Sequence, residues 1–410
     1  MSRLLVFRLL AGLPLCWMVS HVAAEVSGPV TPDCRIAGSW CVQQPPEPLG
    51  YVPDELLLTY DHSRPASEAE GLIDRFRLRE KRNDVLASVG TAMLTASTGT
   101  RDPLALSQLI NRSNAAVEAA PSNLFYVTDT ASSGRGSQGY PLGLTGIEVV
   151  HRLTKGEGVK IGMIDTPVDI SHFALQNAKV QRLELVHPGN ARNQQHGTEV
   201  AGILVSQNPR IGIAPDASLL AVSAFSVDAD NPDVRSSNAG LVARAIDLCI
   251  REGVDVLNLS FAGGRDKLVD KMIQKAVESG IIVIAAAGNE GPAAAPAYPA
   301  ATTGVKAVTA VDRGEQLFRD ANQGDYIDLA APGVDILTTA PRSSFNVTTG
   351  TSMAAAHVTG VVALLLSMKR QGFDRSILEK TATDLGQQGR DRAFGYGLVN
   401  AARAVSSLKE

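Results

Sequence analysis

Four polar residues in the second half of the sequence stand at the ends of apolar runs. Asp165 ends KIGMID, His196 lies in QQHGTEVAGIL, Asn289 ends IIVIAAAGN, and Ser352 opens SMAAAHVTGVVALLL. A serine hydroxyl needs an adjacent base to act as a nucleophile, and an imidazole base needs a carboxylate that holds its tautomer. Asp165, His196 and Ser352 could supply that set. Each residue alone has an ordinary structural explanation, so the interpretation depends on their joint occurrence.

Two of these residues could also stabilise negative charge. Ser352 begins a predicted helix, and a helix N-terminus presents free backbone N–H groups and a partial positive charge to a developing oxyanion. The side-chain amide of Asn289 offers a further N–H donor. The four residues together therefore predict a site for nucleophilic attack on an acyl group.

A parallel sheet is the element that would position these residues. Continuous apolar runs bounded by turn residues alternate with helical patterns, and they occur at 159–164, 217–221, 254–259, 281–287 and 305–310. Continuous apolarity indicates strands that are buried on both faces. The prediction is an α/β domain with a parallel sheet flanked by helices. Ligands bind at the carboxyl ends of such strands, where the polar residues stand.

Residues 54–129 form a smaller pattern of strand, helix, strand, strand, helix, strand. This order is typical of a ferredoxin-like α+β unit. A hairpin is predicted around Gly90, a helix start at Asp102 and Pro103, and the last strand at 115–119. The following stretch, TASSGRGSQG at 130–139, has no apolar residue larger than Ala and is predicted to be a flexible linker.

The composition narrows the class of protein. The 410 residues include 38 basic and 42 acidic side chains, for a formal net charge of −4, and 44% are apolar. This balance lacks the basic excess of a nucleic-acid-binding protein and is close to that of soluble globular proteins. The length predicts two or three domains.

Residues 1–24 have the layout of a secretory signal peptide. Arg3 and Arg8 precede a short apolar run, and small residues at 22–24 follow it. No later run reaches the roughly 18 apolar residues of a membrane span. We therefore expect a secreted or periplasmic protein with no membrane association after signal cleavage.

The cysteines do not organise the fold. In an exported protein Cys34 and Cys41 could form a local disulfide. Cys249 has helical spacing with apolar neighbours and is predicted to be buried.

Several blocks of sequence resemble the subtilisin-like serine proteases, or subtilases. These blocks are IGMIDTPVDISH, HGTEVAGI, VLNLSFAGG, VIAAAGNEGP, LAAPGVDI, GTSMAAAHVTG and FGYGLVNA, and they follow the Asp, His, Ser order of subtilisin. The resemblance extends from about Tyr140 to the C-terminus. Residues 54–129, which end in AVEAAPSNLFYV, resemble the inhibitor-type propeptide of the same family.

The resemblance implies a role for each candidate residue. Ser352 is the expected nucleophile, His196 the general base and then acid, and Asp165 the orienting carboxylate. Asn289 and the backbone N–H of Ser352 form the expected oxyanion hole. Other residues are expected to bind the polypeptide substrate, and they are Ser260, Phe261, Ala262, Gly263, Ala287, Gly288 and residues 298–300.

The chain departs from the family pattern at four positions. Pro167 and Ala262 replace Gly, Glu199 replaces His, and Ala356 replaces a proline that normally follows the nucleophile by four residues. Alanine tolerates the same helical geometry as proline at the start of a helix, so we expect activity to survive. Ala262 adds a methyl group close to the substrate backbone.

No metal site is predicted. The segment between His196 and Pro215 is shorter than in typical secreted subtilases, and its SQNPRIG stretch has no carboxylate for the family's calcium loop. Asp228, Asp230 and Asp233 could bind calcium, but an acidic surface loop is more often simply solvated. We expect no cofactor.

The sequence therefore predicts a monomeric, exported serine endopeptidase made as a self-processed precursor. Its expected parts are a signal peptide (1–24), an N-terminal extension (25–50), a ferredoxin-like propeptide (51–129), a linker (130–139) and a subtilisin-like catalytic domain (140–410). The propeptide is expected to inhibit the enzyme and to assist its folding, and polypeptides are the expected substrates. Two alternatives are a catalytically weak polypeptide-binding scaffold and an esterase, although no G-x-S-x-G elbow surrounds Ser352.

Overall fold

The computed structural model describes residues 35–36, 39–40, 50–114, 116–127, 130–131, 139–187, 189, 193–227 and 234–408. The predicted signal peptide, Cys34, Cys41, most of the predicted linker and the aspartates at 228, 230 and 233 lie outside the described residues. The chain divides into two units, Met1–Pro48 and Leu49–Glu410. In the first unit, strands β1 (Arg35–Ile36) and β2 (Ser39–Trp40) pair antiparallel.

The second unit begins with a four-stranded antiparallel sheet and two helices. Its elements are β3 (Tyr51–Asp61), α1 (Ser67–Arg75), β4 (Arg79–Leu86), a 3₁₀ turn (Ala87–Val89), β5 (Thr91–Ser97), α2 (Pro103–Ser113) and β6 (Val117–Val127). The strand order β6-β3-β5-β4 is that of a ferredoxin-like fold. Asp102 caps α2 by accepting hydrogen bonds from the backbone N–H groups of Leu104 and Ala105, as its position before Pro103 predicts.

The remainder of the unit alternates strands and helices. The elements from β7 to α6 are β7 (Thr130–Ala131), α3 (Tyr140–Leu144), α4 (Ile147–Val150), β8 (Lys160–Asp165), β9 (Lys179–Glu184), α5 (Gln195–Val205), β10 (Ser218–Ser223), β11 (Ser226–Val227), β12 (Arg235–Asn238) and α6 (Ala239–Arg251). Those from β13 to α10 are β13 (Val256–Leu259), β14 (Phe261–Gly263), α7 (Lys267–Glu278), β15 (Ile282–Ala286), β16 (Val305–Val311), β17 (Ile327–Pro332), β18 (Ile336–Ala340), β19 (Ser344–Thr349), α8 (Thr351–Met368), α9 (Ile377–Thr381) and α10 (Ala401–Ser407).

A seven-stranded parallel sheet forms the centre of this region. Its order is β17-β16-β15-β13-β8-β10-β9, and every pair is parallel. The inner strands are buried along almost their whole length, with one apolar cluster on each face of the sheet. The predicted α/β fold, a parallel sheet flanked by helices, is therefore confirmed.

Helix α8 runs through the larger of these apolar clusters. Every residue from Thr351 to Leu366 is buried. Gly360 permits close packing, because a Cβ at this position would lie 2.5 Å from Ile213. Among the described helices, α8 is the one long and apolar enough to cross a membrane, but 89% of it is buried inside the protein, as in the core helix of a soluble protein.

Strand β6 is longer than the sequence predicts. The prediction ended at residue 119, whereas the strand continues to Val127. Its first part pairs with β3, and its last residues pair with β12 and β14 of the α/β region. Distant partners hold this extension, so local sequence patterns did not reveal it. Cys249, by contrast, is buried as predicted, and burial raises the pKa of its thiol to about 12.

Helix α8 also carries a buried histidine, His357, whose Nδ1 contacts the carbonyl of Met353 at 2.8 Å. Burial lowers the pKa of His357 from 6.5 to about 4. Since the unfolded chain takes up this proton first, acidification from pH 6.5 to pH 4 should reduce the free energy of unfolding. A shift of this size corresponds to about 3 kcal/mol.

The test compares His357→Gln with the unsubstituted His357, both in a Ser352→Ala background that removes the predicted nucleophile. Glutamine cannot ionise, so the difference in denaturant midpoint between pH 7 and pH 4 should shrink relative to the background protein. The same pH dependence in both proteins would contradict the assignment.

Candidate active site

Asp165 and His196 meet at the carboxyl edge of the parallel sheet. Asp165 is the last residue of β8, His196 lies in the first turn of α5, and both are at most 1% exposed. Oδ1 of Asp165 is 2.6 Å from Nδ1 of His196. Because a carboxylate only accepts hydrogen bonds, Nδ1 carries the proton and Nε2 is the acceptor nitrogen of the ring.

A glycine permits this approach. A Cβ at Gly197 would lie 2.2 Å from the carbonyl oxygen of Thr166, the residue after Asp165. The N–H of Gly197 donates to Oγ1 of Thr166 at 2.8 Å. The start of α5 therefore packs directly on the end of β8.

Ser352 lies at the N-terminus of α8 and is held against Ser260. Its Oγ donates to the carbonyl of Ser260 at 3.1 Å, and Oγ of Ser260 donates to the carbonyl of Ser352 at 3.0 Å. Asn258 donates to Oγ of Ser260 at 2.9 Å and accepts from Thr359 at 3.0 Å. Since Thr359 is also on α8, this buried network fixes the helix to the end of β13.

Asn289 lies beside the same helix terminus, with one end of its amide already engaged. Its Oδ1 accepts hydrogen bonds from the backbone N–H of Thr351 at 3.1 Å and from Oγ1 of Thr351 at 2.8 Å. Nδ2 is buried and has no hydrogen-bond partner among the described residues. Thr351 therefore holds the acceptor end of the amide and leaves Nδ2 as its donor end.

The predicted substrate-binding segment is occupied by the chain's own strand β6. Val127, Tyr126 and Phe125 pair with Phe261, Ala262 and Gly263 of β14, respectively. On its other side, β6 pairs antiparallel with β12. Residues 125–127 thus form the central strand of a three-stranded arrangement that leads towards Ser260.

Phe125 fills an aromatic pocket at this junction. It is fully buried and packs edge-to-face on Phe261 with ring centroids 5.8 Å apart, and Phe261 packs on Phe225 at 4.8 Å. Aromatic pairs of this geometry add to the stabilisation that burial alone provides.

Residues 287, 288 and 298–300 lie near one another on the far side of β14. Gly263 and Tyr298 exchange two backbone hydrogen bonds of 2.9 and 3.1 Å. The carbonyl of Ala287 accepts from the Tyr326 hydroxyl at 2.7 Å, and the N–H of Gly288 donates to Oγ1 of Thr351 at 3.1 Å. Both Ala287 and Gly288 are buried.

Glu199 connects the helix of His196 to strand β19. It is 1% exposed, and its Oε1 accepts from Nδ2 of Asn346 at 2.7 Å and from the side chain of Gln195. Ala356 is buried within α8, and its replacement of proline leaves the helix continuous. Ala262 pairs with Tyr126 and is 8% exposed.

Sequence reasoning missed Thr351, Asn258 and Thr359. A threonine before the candidate nucleophile reads as an ordinary helix start, and its contact with Asn289 joins residues 62 positions apart. Asn258 could have been identified from the sequence, because it is a polar residue inside an otherwise apolar strand.

The side-chain amides that follow α5 are hydrogen-bonded to the backbone. Oδ1 of Asn208 accepts from the backbone of Arg210, and Nε2 of Gln207 donates to the carbonyl of Pro215. Across the described part of the chain, no group of three or more His, Cys, Asp or Glu residues could hold a metal ion.

A parallel sheet with a buried Asp-His pair and a serine at a helix N-terminus is the arrangement of an α/β serine hydrolase. The model of the subtilase family, Peptidase_S8, matches residues 156–397. Subtilisin E of Bacillus subtilis (strain 168) is 33% identical over 297 residues, which are 68% of this chain and 75% of that protein. The chain therefore belongs to the subtilase family, and it is a serine-type endopeptidase.

Other relatives are similar over comparable lengths. The thermophilic serine proteinase of Bacillus sp. (strain AK1) is 33% identical over 306 residues, which are 72% of this chain and 74% of that protein. Fervidolysin from Fervidobacterium pennivorans, described as a keratinolytic enzyme related to subtilisin, shares the fold with a TM-score of 0.73 and 22% identity. The match covers 87% of this chain and 61% of the fervidolysin chain.

Thr351 provides a test of how the site is positioned. Thr351→Val removes the hydroxyl that holds Asn289 but keeps the shape and the backbone N–H. We expect kcat to fall roughly tenfold with little change in KM, which is less than the hundredfold or more for loss of a whole oxyanion donor. Thr351→Ser keeps the hydroxyl and is the matched control. Equal kcat for the valine and serine variants would remove Thr351 from this role.

Proposed function

We propose that this protein is made as an inactive precursor and cleaves itself, with Ser352 as nucleophile, His196 as general base and then acid, and Asp165 as the orienting carboxylate. The proposal is supported by the path of the chain. Strand β6 lies between β14 and β12, and it ends beside Ser260. The carbonyl of Ser260 accepts a hydrogen bond from Oγ of Ser352. An extended strand added to an exposed sheet edge is a common mode of polypeptide binding.

The chemistry follows from the groups present. Oγ of Ser352 attacks the carbonyl carbon of the scissile bond while Nε2 of His196 takes its proton, and Asp165 stabilises the imidazolium. Negative charge then develops on the carbonyl oxygen, which accepts hydrogen bonds from Nδ2 of Asn289 and from the backbone N–H of Ser352. His196 returns its proton to the leaving amine, and water hydrolyses the acyl-enzyme by the same steps.

Residues 51–127 act as an intramolecular inhibitor in this proposal. Besides the β6 ladders, Ser88 N–H donates to Asp247 at 2.8 Å, Asp84 pairs with Arg244 at 3.1 Å, and Asn123 donates to Asp266 at 2.9 Å. Burial raises the pKa of Asp266. These contacts reach α6 and α7, which explains how the unit could also help the α/β region to fold.

The processing bond lies between Val127 and Thr130 in this proposal. Strand β6 ends at Val127 beside the site, and the next described residues, Thr130 and Ala131, pair with Thr349 and Thr348 of β19. Thr349 is three residues before Ser352. The described residues before the proposed bond therefore pair with β14, and those after it pair with β19.

We also propose that the protein is exported and acts as a monomer on polypeptides. The layout of residues 1–24 supports export. The relatives do not decide this point, since one of them is named the major intracellular serine protease of Bacillus subtilis (strain 168).

Self-processing is tested with Ser352→Ala. The wild-type chain should yield a mature form that begins at residue 128, 129 or 130, and the variant should keep residues 51–127 covalently attached. Intact-mass analysis and N-terminal sequencing measure both. Maturation of purified Ser352→Ala would contradict self-processing. A fluorophosphonate probe should label the processed wild type and not the variant, whereas no labelling of either would favour a polypeptide-binding scaffold.

The oxyanion role is tested with Asn289→Ala. Loss of one donor should lower kcat by roughly a hundredfold or more with little change in KM, because the hydrogen bond forms fully only in the transition state. Steady-state kinetics on a peptide substrate provide the measurement, and an unchanged kcat would exclude Asn289 from the mechanism.

A further inference from the structure

Strand β19 presents a sheet edge that leads directly to Ser352. One edge of β19 is paired with β18 from Ser344 to Thr348. At its other edge, among the described residues, only Thr348 and Thr349 are paired, with Ala131 and Thr130. Because these partners follow β6 in the chain, this edge receives the residues on the leaving-group side of the processing bond.

Two exposed aromatic side chains lie further along the same strand. Phe345 of β19 is 40% exposed, Phe173 is 53% exposed, and their ring centroids are 5.6 Å apart at 76°. We call Phe173 and Phe345 the aromatic pair. Exposed aromatic side chains in contact with each other often mark binding surfaces.

The aromatic pair is held in place by a buried histidine. The ring of His172 stacks on Phe173 at 4.8 Å and meets Phe345 edge-on at 5.3 Å. Its Nδ1 accepts from the backbone of Ala174 at 3.0 Å, so Nε2 carries the proton and donates to the carbonyl of Ser344 at 2.7 Å. The two rings are therefore a fixed feature of the surface.

Phe345 of the aromatic pair lines a cavity beside the candidate site. The cavity has a volume of about 780 Å³, and its lining also includes Thr348 of β19 and Tyr126 and Val127 of β6. Asn346 and Glu199 line the same cavity, and Nδ2 of Asn346 donates to Glu199, one turn after His196. The strand is thus tied to the helix that carries the general base.

The register identifies the residue that would meet Phe345. Thr348 pairs with Ala131, and a substrate bound in the same antiparallel register would place the third residue after its equivalent of Ala131 opposite Phe345, with both side chains on the same face. In a peptide with this chain's sequence that residue is Gly134, which has no side chain. The native sequence therefore offers the rings no side chain at that position.

We propose that the aromatic pair takes an aromatic or large apolar side chain of a polypeptide substrate, at the position opposite Phe345 when the leaving-group side of that substrate pairs with β19. The proposal rests on the proposed catalytic roles of Ser352, His196 and Asp165, and it deepens them. The preferred substrates have a bulky apolar residue five to seven positions after the scissile bond.

The test uses peptides that span residues 120–139 of the chain. One has the native Gly134, one has Gly134→Phe, and one has Ser133→Phe as a register control, since that side chain would face away from the rings. With the processed enzyme, kcat/KM should be roughly tenfold higher for Gly134→Phe than for the native peptide. Ser133→Phe should show no such gain.

Enzyme variants separate the aromatic pair from a general effect of hydrophobicity. The roughly tenfold gain in kcat/KM for the Gly134→Phe peptide should be lost in Phe345→Ser and in Phe173→Ser. Phe173 lies outside strand β19. Tyr396→Ala is the matched control, because Tyr396 is an aromatic residue with 41% exposure, and it should keep the gain. Rates are normalised to a short peptide anilide that has no residues after the scissile bond.

Two results would overturn the proposal. One is equal kcat/KM for the native and Gly134→Phe peptides, and the other is a gain that survives in both phenylalanine variants. Failure of the proposed catalytic mechanism is distinguishable, since Ser352→Ala would then cleave the anilide as the wild type does, or neither protein would cleave it. If the wild type cleaves the anilide and Ser352→Ala does not, a negative result with the peptides concerns the aromatic pair alone.

Discussion

The burial of helix α8 is the constraint on which the active site depends. Its residues from Thr351 to Leu366 are all buried, so the helix can exist only where the sheet and the neighbouring helices surround it. Ser352 at its first turn is consequently fixed by the core as well as by its own contacts with Ser260. Residues from widely separated parts of the chain must assemble before that core exists, which makes folding slow.

Residues 51–127 contact the α/β region beside the candidate site. Strand β6 pairs with three strands, with β3 inside residues 51–127 and with β12 and β14 of the α/β region. The residues of β6 that would restrain the enzyme therefore pair with β12 and β14, the strands that precede α6 and α7. In the proposed precursor, inhibition and assistance in folding would follow from one set of contacts, and removal of β6 would leave two edges open for a substrate.

The positions of Asp165 and Ser352 in the fold could be predicted because they stand at the ends of apolar runs, Asp165 as the last residue of β8 and Ser352 in the first turn of α8. The end of β6 could not, since Ser122 and Asn123 interrupt the apolar pattern and its partners lie more than 100 residues away. The sequence did not reveal Thr351, and it gave Glu199 no role, for the same reason. Their partners, Asn289 and Asn346, are brought near only by the fold.

The two sides of the cleft bind a chain with unequal strength. On the side of β6, two ladders, the buried Phe125 and the contacts to α6 and α7 all hold the same segment. On the side of β19, the described pairing is limited to Thr348 and Thr349. Once the proposed bond is cut, the segment at β19 would lose its covalent link to β6 and keep, in the described part of the chain, only the pairing with Thr348 and Thr349, so we expect it to dissociate first. Residues 51–127 would then remain bound as an inhibitor, and their release, not cleavage, would control the appearance of activity.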